Sequence, residues 1–273
     1  MNRFAIGPAE AGDLRLLVVA GPCVVESADL CLRVAAHMKS ACEERGLPYV
    51  FKASYAKANR SSGRSFAGLP REEALAILAR VKRELGVPVL TDIHSEEEGA
   101  AAAEVADVLQ VPAFLSRQTS LLRAAAASGR AVNVKKGQFL APDDMKNVVE
   151  KLTGAGCERI LLTERGTSLG YHDLVVDMRA LVTMRELGWP VLYDATHSLQ
   201  RPGGQVTGGD RRFAFPLMRA AVACGVDGLF FETHPDPARA LSDAATQLPL
   251  DRAAAFLDEA RRIHEAVAER SHA

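Results

Sequence analysis

The sequence has no long hydrophobic run, no closely paired cysteines and no excess of charge of one sign. No apolar segment approaches the ~18 residues of a membrane-spanning helix, and the N-terminus has no apolar signal-peptide core. The 33 basic residues nearly balance the 34 acidic ones, which gives a net charge of -1. We therefore expect a cytoplasmic protein with no general attraction to membranes or nucleic acid, in which anionic ligands need a local cluster of cations.

The five cysteines argue against a disulfide framework. Cys23, Cys31, Cys42, Cys157 and Cys224 are odd in number, widely spaced and contain no CxxC pair. Such usage is typical of proteins in a reducing compartment.

Short apolar runs alternate with amphipathic segments along the whole chain. Most of the runs are continuously apolar, as expected of parallel strands that are covered on both faces. Eight runs are found, at residues 16–20, 49–52, 87–91, 108–111, 131–134, 159–162, 191–193 and 228–231. Between them, helical spacing is seen for example at Leu30, Val34 and Met38, and at Leu174, Met178 and Leu181.

Eight strand–helix units in 273 residues predict a single (β/α)8 TIM barrel domain over residues 1–273. An open, doubly wound sheet is the alternative, because periodicity does not reveal whether a sheet closes. The segment before residue 16 is too short for a domain and is predicted to form a hairpin that closes the barrel bottom.

Polar side chains follow every predicted strand, at the end where barrel enzymes place their active sites. One group is cationic and suits phosphate or carboxylate ligands, although a single such residue is more often a solvated surface charge. Its members are Lys52, Lys57, Arg60, Lys135, Lys136 and Arg165.

A second group of strand-end residues combines a thiol, an imidazole and carboxylates. Cys23, His197 and Glu232, with Asp243 as a possible fourth member, suit Zn²⁺, Fe²⁺ or a similar divalent ion. The alternative is that Cys23 is a small buried hydrophobic residue and His197 is structural.

In this order, the motifs of the chain resemble the 3-deoxy-D-manno-octulosonate 8-phosphate synthase family. The likeness covers nearly the whole sequence. It is carried by Gly-Pro-Cys-Val-Val-Glu-Ser at 21–27, Phe-Lys-Ala-Ser at 51–54, Lys-Ala-Asn-Arg-Ser-Ser at 57–62, Thr-Asp-Ile-His at 91–94, Asn-Val-Lys-Lys-Gly-Gln-Phe at 133–139, Leu-Thr-Glu-Arg-Gly at 162–166, Asp-Ala-Thr-His-Ser at 194–198, Phe-Glu-Thr-His-Pro at 231–235 and Ala-Leu-Ser-Asp-Ala at 240–244.

The resemblance implies condensation of phosphoenolpyruvate with D-arabinose 5-phosphate and water, releasing inorganic phosphate. The product feeds lipopolysaccharide synthesis, and the family suggests a homotetramer. Related synthases accept erythrose 4-phosphate and typically carry Lys-Pro-Arg-Thr where this chain has residues 57–62, so that segment favours arabinose 5-phosphate. A sensor barrel that binds sugar phosphates without catalysis is a further alternative.

The resemblance also implies a divalent metal ion, with zinc, iron and manganese all left open. Metal-dependent members carry Cys where the others carry Asn, and this chain has Cys23 there. The implied ligands are Cys23, His197, Glu232 and Asp243. Whether the metal activates water or only orients substrates stays open.

We assign the remaining candidate residues to two substrate sites. Lys57 is the candidate proton donor, with a metal-bound water as the alternative, and it is grouped with Cys23, His197 and Asp243 as catalytic. The expected phosphoenolpyruvate site comprises Lys52, Lys57, Lys135, Gln138 and Arg165, and the expected arabinose 5-phosphate site comprises Asn59, Arg60, Ser61, Asp92 and His94.

Overall fold

Eight parallel strands form a closed ring in the computed structural model, which describes residues 1–57, 66–203 and 207–270. Each strand pairs with the next in chain order, and the last pairs with both the seventh and the first, which closes the ring. The barrel strands are β1 (Leu17–Gly21), β2 (Tyr49–Lys52), β3 (Val89–Asp92), β4 (Val108–Val111), β5 (Ala131–Lys135), β6 (Ile160–Glu164), β7 (Val191–Asp194) and β8 (Gly228–His234). The predicted (β/α)8 barrel is confirmed, and the open sheet is excluded.

Helices follow the strands and cover the outside of the ring. They are α1 (Ala28–Glu43), α2 (Arg71–Leu85), α3 (Glu96–Val105), α4 (Thr119–Ala127), α5 (Met145–Thr153), α6 (Arg179–Arg185), α7 (Ala214–Ala223) and α8 (Ala253–Arg270). None of the described helices is long and apolar enough to cross a membrane.

Local sequence signals fix the start of the first helix and the end of the second. The Ser27 side chain accepts a hydrogen bond from the Leu30 N–H, which caps the start of α1. Helix α2 ends at Gly86, whose φ of 64° lies in the left-handed region that favours glycine. Burial of the apolar faces of the helices against the strands forms the outer core layer.

The N-terminal hairpin closes the bottom of the barrel, as predicted. Its strands, Phe4–Ile6 and Ala9–Ala11, pair antiparallel, and Ile6, Ala9 and Ala11 are buried. These side chains join an inner apolar cluster to which every barrel strand contributes: Leu17, Val19, Val50, Leu90, Val108, Ala131, Leu161, Leu192 and Phe230.

The region between β6 and α6 differs from the expectation. Leu174 lies in a two-stranded antiparallel hairpin, Thr167–Gly170 with Asp173–Val175, and α6 begins only at Arg179. The helical spacing from Leu174 to Leu181 is a coincidence across two elements. Leu174 packs over Gly166, where an added Cβ would lie 3.2 Å from the Leu174 Cβ.

We predict that Ile6→Ala lowers the free energy of unfolding by about 2–4 kcal/mol, because a buried side chain is lost from the N-terminal hairpin and a cavity remains. Leu14→Ala is the matched control, since Leu14 is 75% exposed. Denaturant unfolding of both variants tests the role of the hairpin; equal stabilities of the two would contradict it.

Candidate active site

A cavity of about 600 Å³ opens at the carboxyl end of the barrel strands. It brings together most of the described residues that the sequence singled out. Its polar lining comprises Lys52, Lys57, Asp92, His94, Gln110, Lys135, Gln138, Arg165, His197, Gln200, Thr207, Ser242 and Asp243. The predicted residues Asn59, Arg60 and Ser61 lie outside the described residues.

Three of the four predicted metal ligands meet beneath the cavity. One ligand atom each from Cys23, Glu232 and Asp243 lies within 4.8 Å of the others. The Cys23 thiol donates to Asp243 Oδ2 at 2.9 Å. Burial, reinforced by the negative charges of Asp243 and Glu232, raises the pKa of the Cys23 thiol well above its usual value. A metal ion must therefore displace this proton in order to bind the thiolate.

His197 lies beside this cluster and is held by Asp194. The His197 Nε2 is 3.6 Å from Glu232 Oε1, and its Nδ1 lies 2.9 Å from Asp194 Oδ2. Asp194 also accepts hydrogen bonds from the backbone N–H groups of Thr196 and His197. A carboxylate on one ring nitrogen leaves the other nitrogen directed at the ligand cluster, as is usual for metal-binding histidines.

Glu232 has one oxygen engaged and one without a partner. Its Oε1 accepts a 2.7 Å hydrogen bond from Lys52 Nζ, which also donates to the Cys23 carbonyl at 3.0 Å. Its Oε2 is buried and has no hydrogen-bond partner. Such an atom is costly in the absence of a ligand. The oxygen and its neighbouring sulfur and carboxylate donors therefore fit a divalent ion.

Lys57 lies between the two carboxylates of the cluster. Its Nζ is 3.7 Å from Asp243 Oδ2 and 3.9 Å from Glu232 Oε1. Burial alone would lower the pKa of Lys57, but the negative groups around it outweigh that effect and raise the pKa well above its usual value. The ammonium group therefore keeps its proton at neutral pH.

Lys135 is enclosed by an acid and an aromatic ring. Its Nζ forms a short ion pair with Asp194 and lies 3.4 Å from the centre of the Phe230 ring. Burial lowers the pKa of Lys135, although the charge of Asp194 opposes the effect. This ammonium is poorly hydrated, which strengthens its attraction to an anion in the cavity.

Arg165 and Gln138 present buried polar atoms that lack protein partners. Arg165 Nη2 donates to Gln200 Oε1 at 2.9 Å, while its Nη1 and the Gln138 Oε1 have no hydrogen-bond partner. A buried guanidinium with a free nitrogen is a ready donor for phosphate or carboxylate oxygens.

Lys136, which the sequence grouped with the cavity cations, has a different place. Its Nζ donates to the Leu140 carbonyl at 3.2 Å and to Thr167 Oγ1 at 3.0 Å, and it is 3.5 Å from Glu164 Oε2. Lys136 directly follows β5, and its N–H still bonds to the Thr163 carbonyl of β6 at 2.8 Å. The alternation of a strand therefore continues to it, so Lys135 points into the barrel and Lys136 points away from it. Lys136 ties the segments after β5 and β6 together and does not line the cavity.

Three residues of the site have no role among the sequence-based assignments, although Gln110 is a polar residue at the end of a predicted strand. Asp194 holds His197, and the two glutamines, Gln110 and Gln200, line the cavity. For Asp194 the available signal was its spacing of three residues before His197. For Gln110 it was a polar side chain within a strand that is otherwise apolar.

We predict that Asp194→Asn lowers the free energy of unfolding by about 3–5 kcal/mol near neutral pH, because Lys135 loses the anion that compensates its burial. The pKa of Asp194 lies well below its usual value: burial opposes this, but His197 and Lys135 outweigh burial. Its contribution is therefore complete above the unfolded pKa of about 3.9 and declines as the pH falls further.

The variant should accordingly lose stability less steeply than the parent as the pH falls below about 4. Denaturant unfolding across this range measures both effects. Asp177→Asn is the control, because Asp177 pairs with Arg179 at the surface. A similar loss of stability in both variants would contradict the role of Asp194 in compensating the burial of Lys135.

The chain is similar to known proteins over nearly its full length. The model of the DAHP synthetase I family matches residues 5–269. A 2-dehydro-3-deoxyphosphooctonate aldolase of Azoarcus sp. (strain BH72) is 56% identical over 262 residues, which are 94% of each chain. The protein of that name from Syntrophobacter fumaroxidans is 51% identical over 269 residues, 98% of this chain and 93% of the relative.

Proposed function

The chain belongs to the DAHP synthetase I family, and from this premise we propose how its cavity carries out the reaction of a 2-dehydro-3-deoxyphosphooctonate aldolase. The enzyme condenses phosphoenolpyruvate with D-arabinose 5-phosphate and water, and releases 3-deoxy-D-manno-octulosonate 8-phosphate and inorganic phosphate. The observation that supports this most directly is a barrel cavity with several buried cations, which suits two anionic substrates.

Phosphoenolpyruvate is placed deep in the cavity. Arg165, with its free Nη1, and the desolvated ammonium of Lys135 grip its phosphate and carboxylate, and Gln138 lies close by. Lys52 is committed to Glu232 and the Cys23 carbonyl, so its part is to hold positive charge at the floor of this site.

Arabinose 5-phosphate is placed nearer the mouth of the cavity. Asp92 and His94, which line it, face the sugar hydroxyls. Asn59, Arg60 and Ser61 are assigned to this substrate on the resemblance alone, with Arg60 and Ser61 on the phosphate. Holding both reactants in contact removes several kcal/mol of the barrier that two mutually repelling anions face in solution.

In the reaction, carbon 3 of the enol phosphate forms a bond to the aldehyde carbon, and water adds its oxygen to carbon 2. The carbon–oxygen bond to phosphate then breaks, carbon 2 becomes a ketone and phosphate leaves. Of the two protons of water, one departs with the phosphate and the other replaces the proton that the alkoxide takes up. Lys57 is the proposed proton donor to the alkoxide that forms from the aldehyde, since its ammonium lines the cavity beside Asp243 and Glu232.

A divalent ion fits the cluster below the cavity, where Glu232 has an unpartnered oxygen and Cys23 and Asp243 supply sulfur and oxygen. Cys23, His197, Glu232 and Asp243 would hold it. When bound, it supplies Lewis acidity toward an aldehyde oxygen or orientation of a water molecule. Zinc, iron and manganese all suit this mixed donor set.

We further propose a homotetramer in the cytoplasm that feeds lipopolysaccharide synthesis. The family resemblance supports the tetramer. The five cysteines, all of them free, suit a reducing compartment.

The reaction is tested by phosphate release from phosphoenolpyruvate with arabinose 5-phosphate, and in parallel with erythrose 4-phosphate. We expect turnover with the five-carbon sugar and little with the four-carbon one. Chelation should abolish it, and Zn²⁺, Mn²⁺ or Fe²⁺ should restore it. Preference for erythrose 4-phosphate would reassign the substrate, and full activity in metal-free protein would exclude metal dependence.

Cys23→Ala should remove bound metal and lower turnover by about 100-fold or more, because loss of even an outer-shell partner of a metal ligand costs about 10–100-fold. Cys31→Ala is the matched control, because Cys31 is also fully buried but lies on α1. Elemental analysis of the purified variants gives the metal content independently of activity. Equal metal content in both would contradict the role of Cys23.

A further inference from the structure

A continuous chain of side-chain hydrogen bonds crosses the interior of the barrel just below the cavity. Thr163 Oγ1 donates to Asn133 Oδ1 at 2.7 Å, and Asn133 Nδ2 donates to Gln110 Oε1 at 2.8 Å. Gln110 Nε2 then donates to Asp92 Oδ1, whose other oxygen accepts from Ser54. The chain joins four consecutive strands, from β6 to β3.

The strand register places these groups side by side. Asp92 is the direct partner of Gln110 across β3 and β4, and Gln110 is the direct partner of Asn133 across β4 and β5. Asn133 and Thr163 are fully buried, whereas Gln110 and Asp92 reach the cavity wall. The inner half of the chain therefore touches no substrate site, and the outer half forms part of one.

The chain has a single direction, which is set at its Asp92 end. At one end Asp92 is a carboxylate whose pKa is lowered: burial opposes this, but the charges of Lys52 and Lys57 outweigh burial. A carboxylate accepts only, so Gln110 must turn its NH₂ group toward Asp92. At the other end the Thr163 hydroxyl, which is able to donate, completes this direction by donating to Asn133 Oδ1, and the Asn133 NH₂ group is then directed at the Gln110 carbonyl.

We propose that Asn133 and Thr163 are positioning residues for the reaction proposed above, because they fix the orientation of the Gln110 amide. With its carbonyl held by Asn133, Gln110 keeps its N–H groups toward Asp92 and the cavity. This inference rests on the proposed function, since its consequence falls on anionic substrates.

The opposite orientation of the amide is unfavourable in two ways. It puts the Gln110 carbonyl against the Asp92 carboxylate, and it removes an N–H donor from a cavity that has to hold anions. Asn133 and Thr163 therefore act on the substrates indirectly, through Gln110 and Asp92.

The experiment compares Thr163→Val, Thr163→Ser and Asn133→Asp with the parent. Tyr49→Phe is the matched control, because it removes a buried 2.9 Å hydrogen bond, from Tyr49 to the Ala20 carbonyl, outside the cavity. Phosphate-release kinetics give kcat and the KM of each substrate, and thermal unfolding gives the stability of each protein.

We expect Thr163→Val to lower kcat/KM about tenfold, ~1.4 kcal/mol, mainly by raising KM, and Thr163→Ser to restore it. Asn133→Asp sets an acceptor against the Gln110 carbonyl while its carboxyl is ionised, and a donor once it is protonated. Its defect should therefore be larger at about pH 8 than at about pH 6, relative to the parent at the same pH.

The inference is overturned if Thr163→Val and Asn133→Asp lose stability but keep the kinetics of Tyr49→Phe, because the chain is then only structural. Equal defects in Thr163→Val and Thr163→Ser also overturn it. If Asn133→Asp does not fold, the Thr163 pair decides. A parent protein that releases no phosphate contradicts the proposed function itself and is recognised before any variant is compared.

Discussion

Strand β8 hydrogen-bonds to β1 on one side and to β7 on the other, and this double pairing converts a sheet into a ring. In a ring of parallel strands all carboxyl ends face the same opening. Residues that are far apart in the sequence, such as Cys23 and Asp243, meet at 2.9 Å for this reason. The cavity, the cluster of candidate metal ligands and the chain of hydrogen bonds from Thr163 to Asp92 all depend on closure of the ring.

Closure of the ring also brings charged side chains together in an interior where water solvates them poorly. Lys52 and Lys135 are almost fully buried, and each lies against a buried carboxylate, Glu232 and Asp194 respectively. Separate burial of these charges is very unfavourable, and pairing offsets most of the desolvation. The pairs still leave unpartnered donors and acceptors, notably Arg165 Nη1 and Glu232 Oε2, which are the atoms that a substrate and a metal ion can satisfy.

Much of the fold could be read from the sequence, because continuously apolar runs bounded by Gly and Pro mark buried parallel strands. Ring closure could not be predicted, because the sequence of a strand does not show which other strands pair with it. Most of the cavity residues were found by their place at strand ends. The sequence-based placement of Lys136 in the cavity is wrong because side chains alternate along a strand, so Lys135 faces inward and Lys136 outward. The same alternation makes Asn133 inward-facing.

Phe230 contacts apolar side chains as well as a charged one, and these contacts make the cavity floor an apolar environment. Its ring belongs to the apolar cluster that the N-terminal hairpin seals, and its face meets the Lys135 ammonium 3.4 Å above it. The strand residues of that cluster are buried, so the ammonium is desolvated on the side that faces the ring. The hairpin, at the opposite end of the barrel from the cavity, thus completes the buried apolar layer on which the Lys135 ammonium rests.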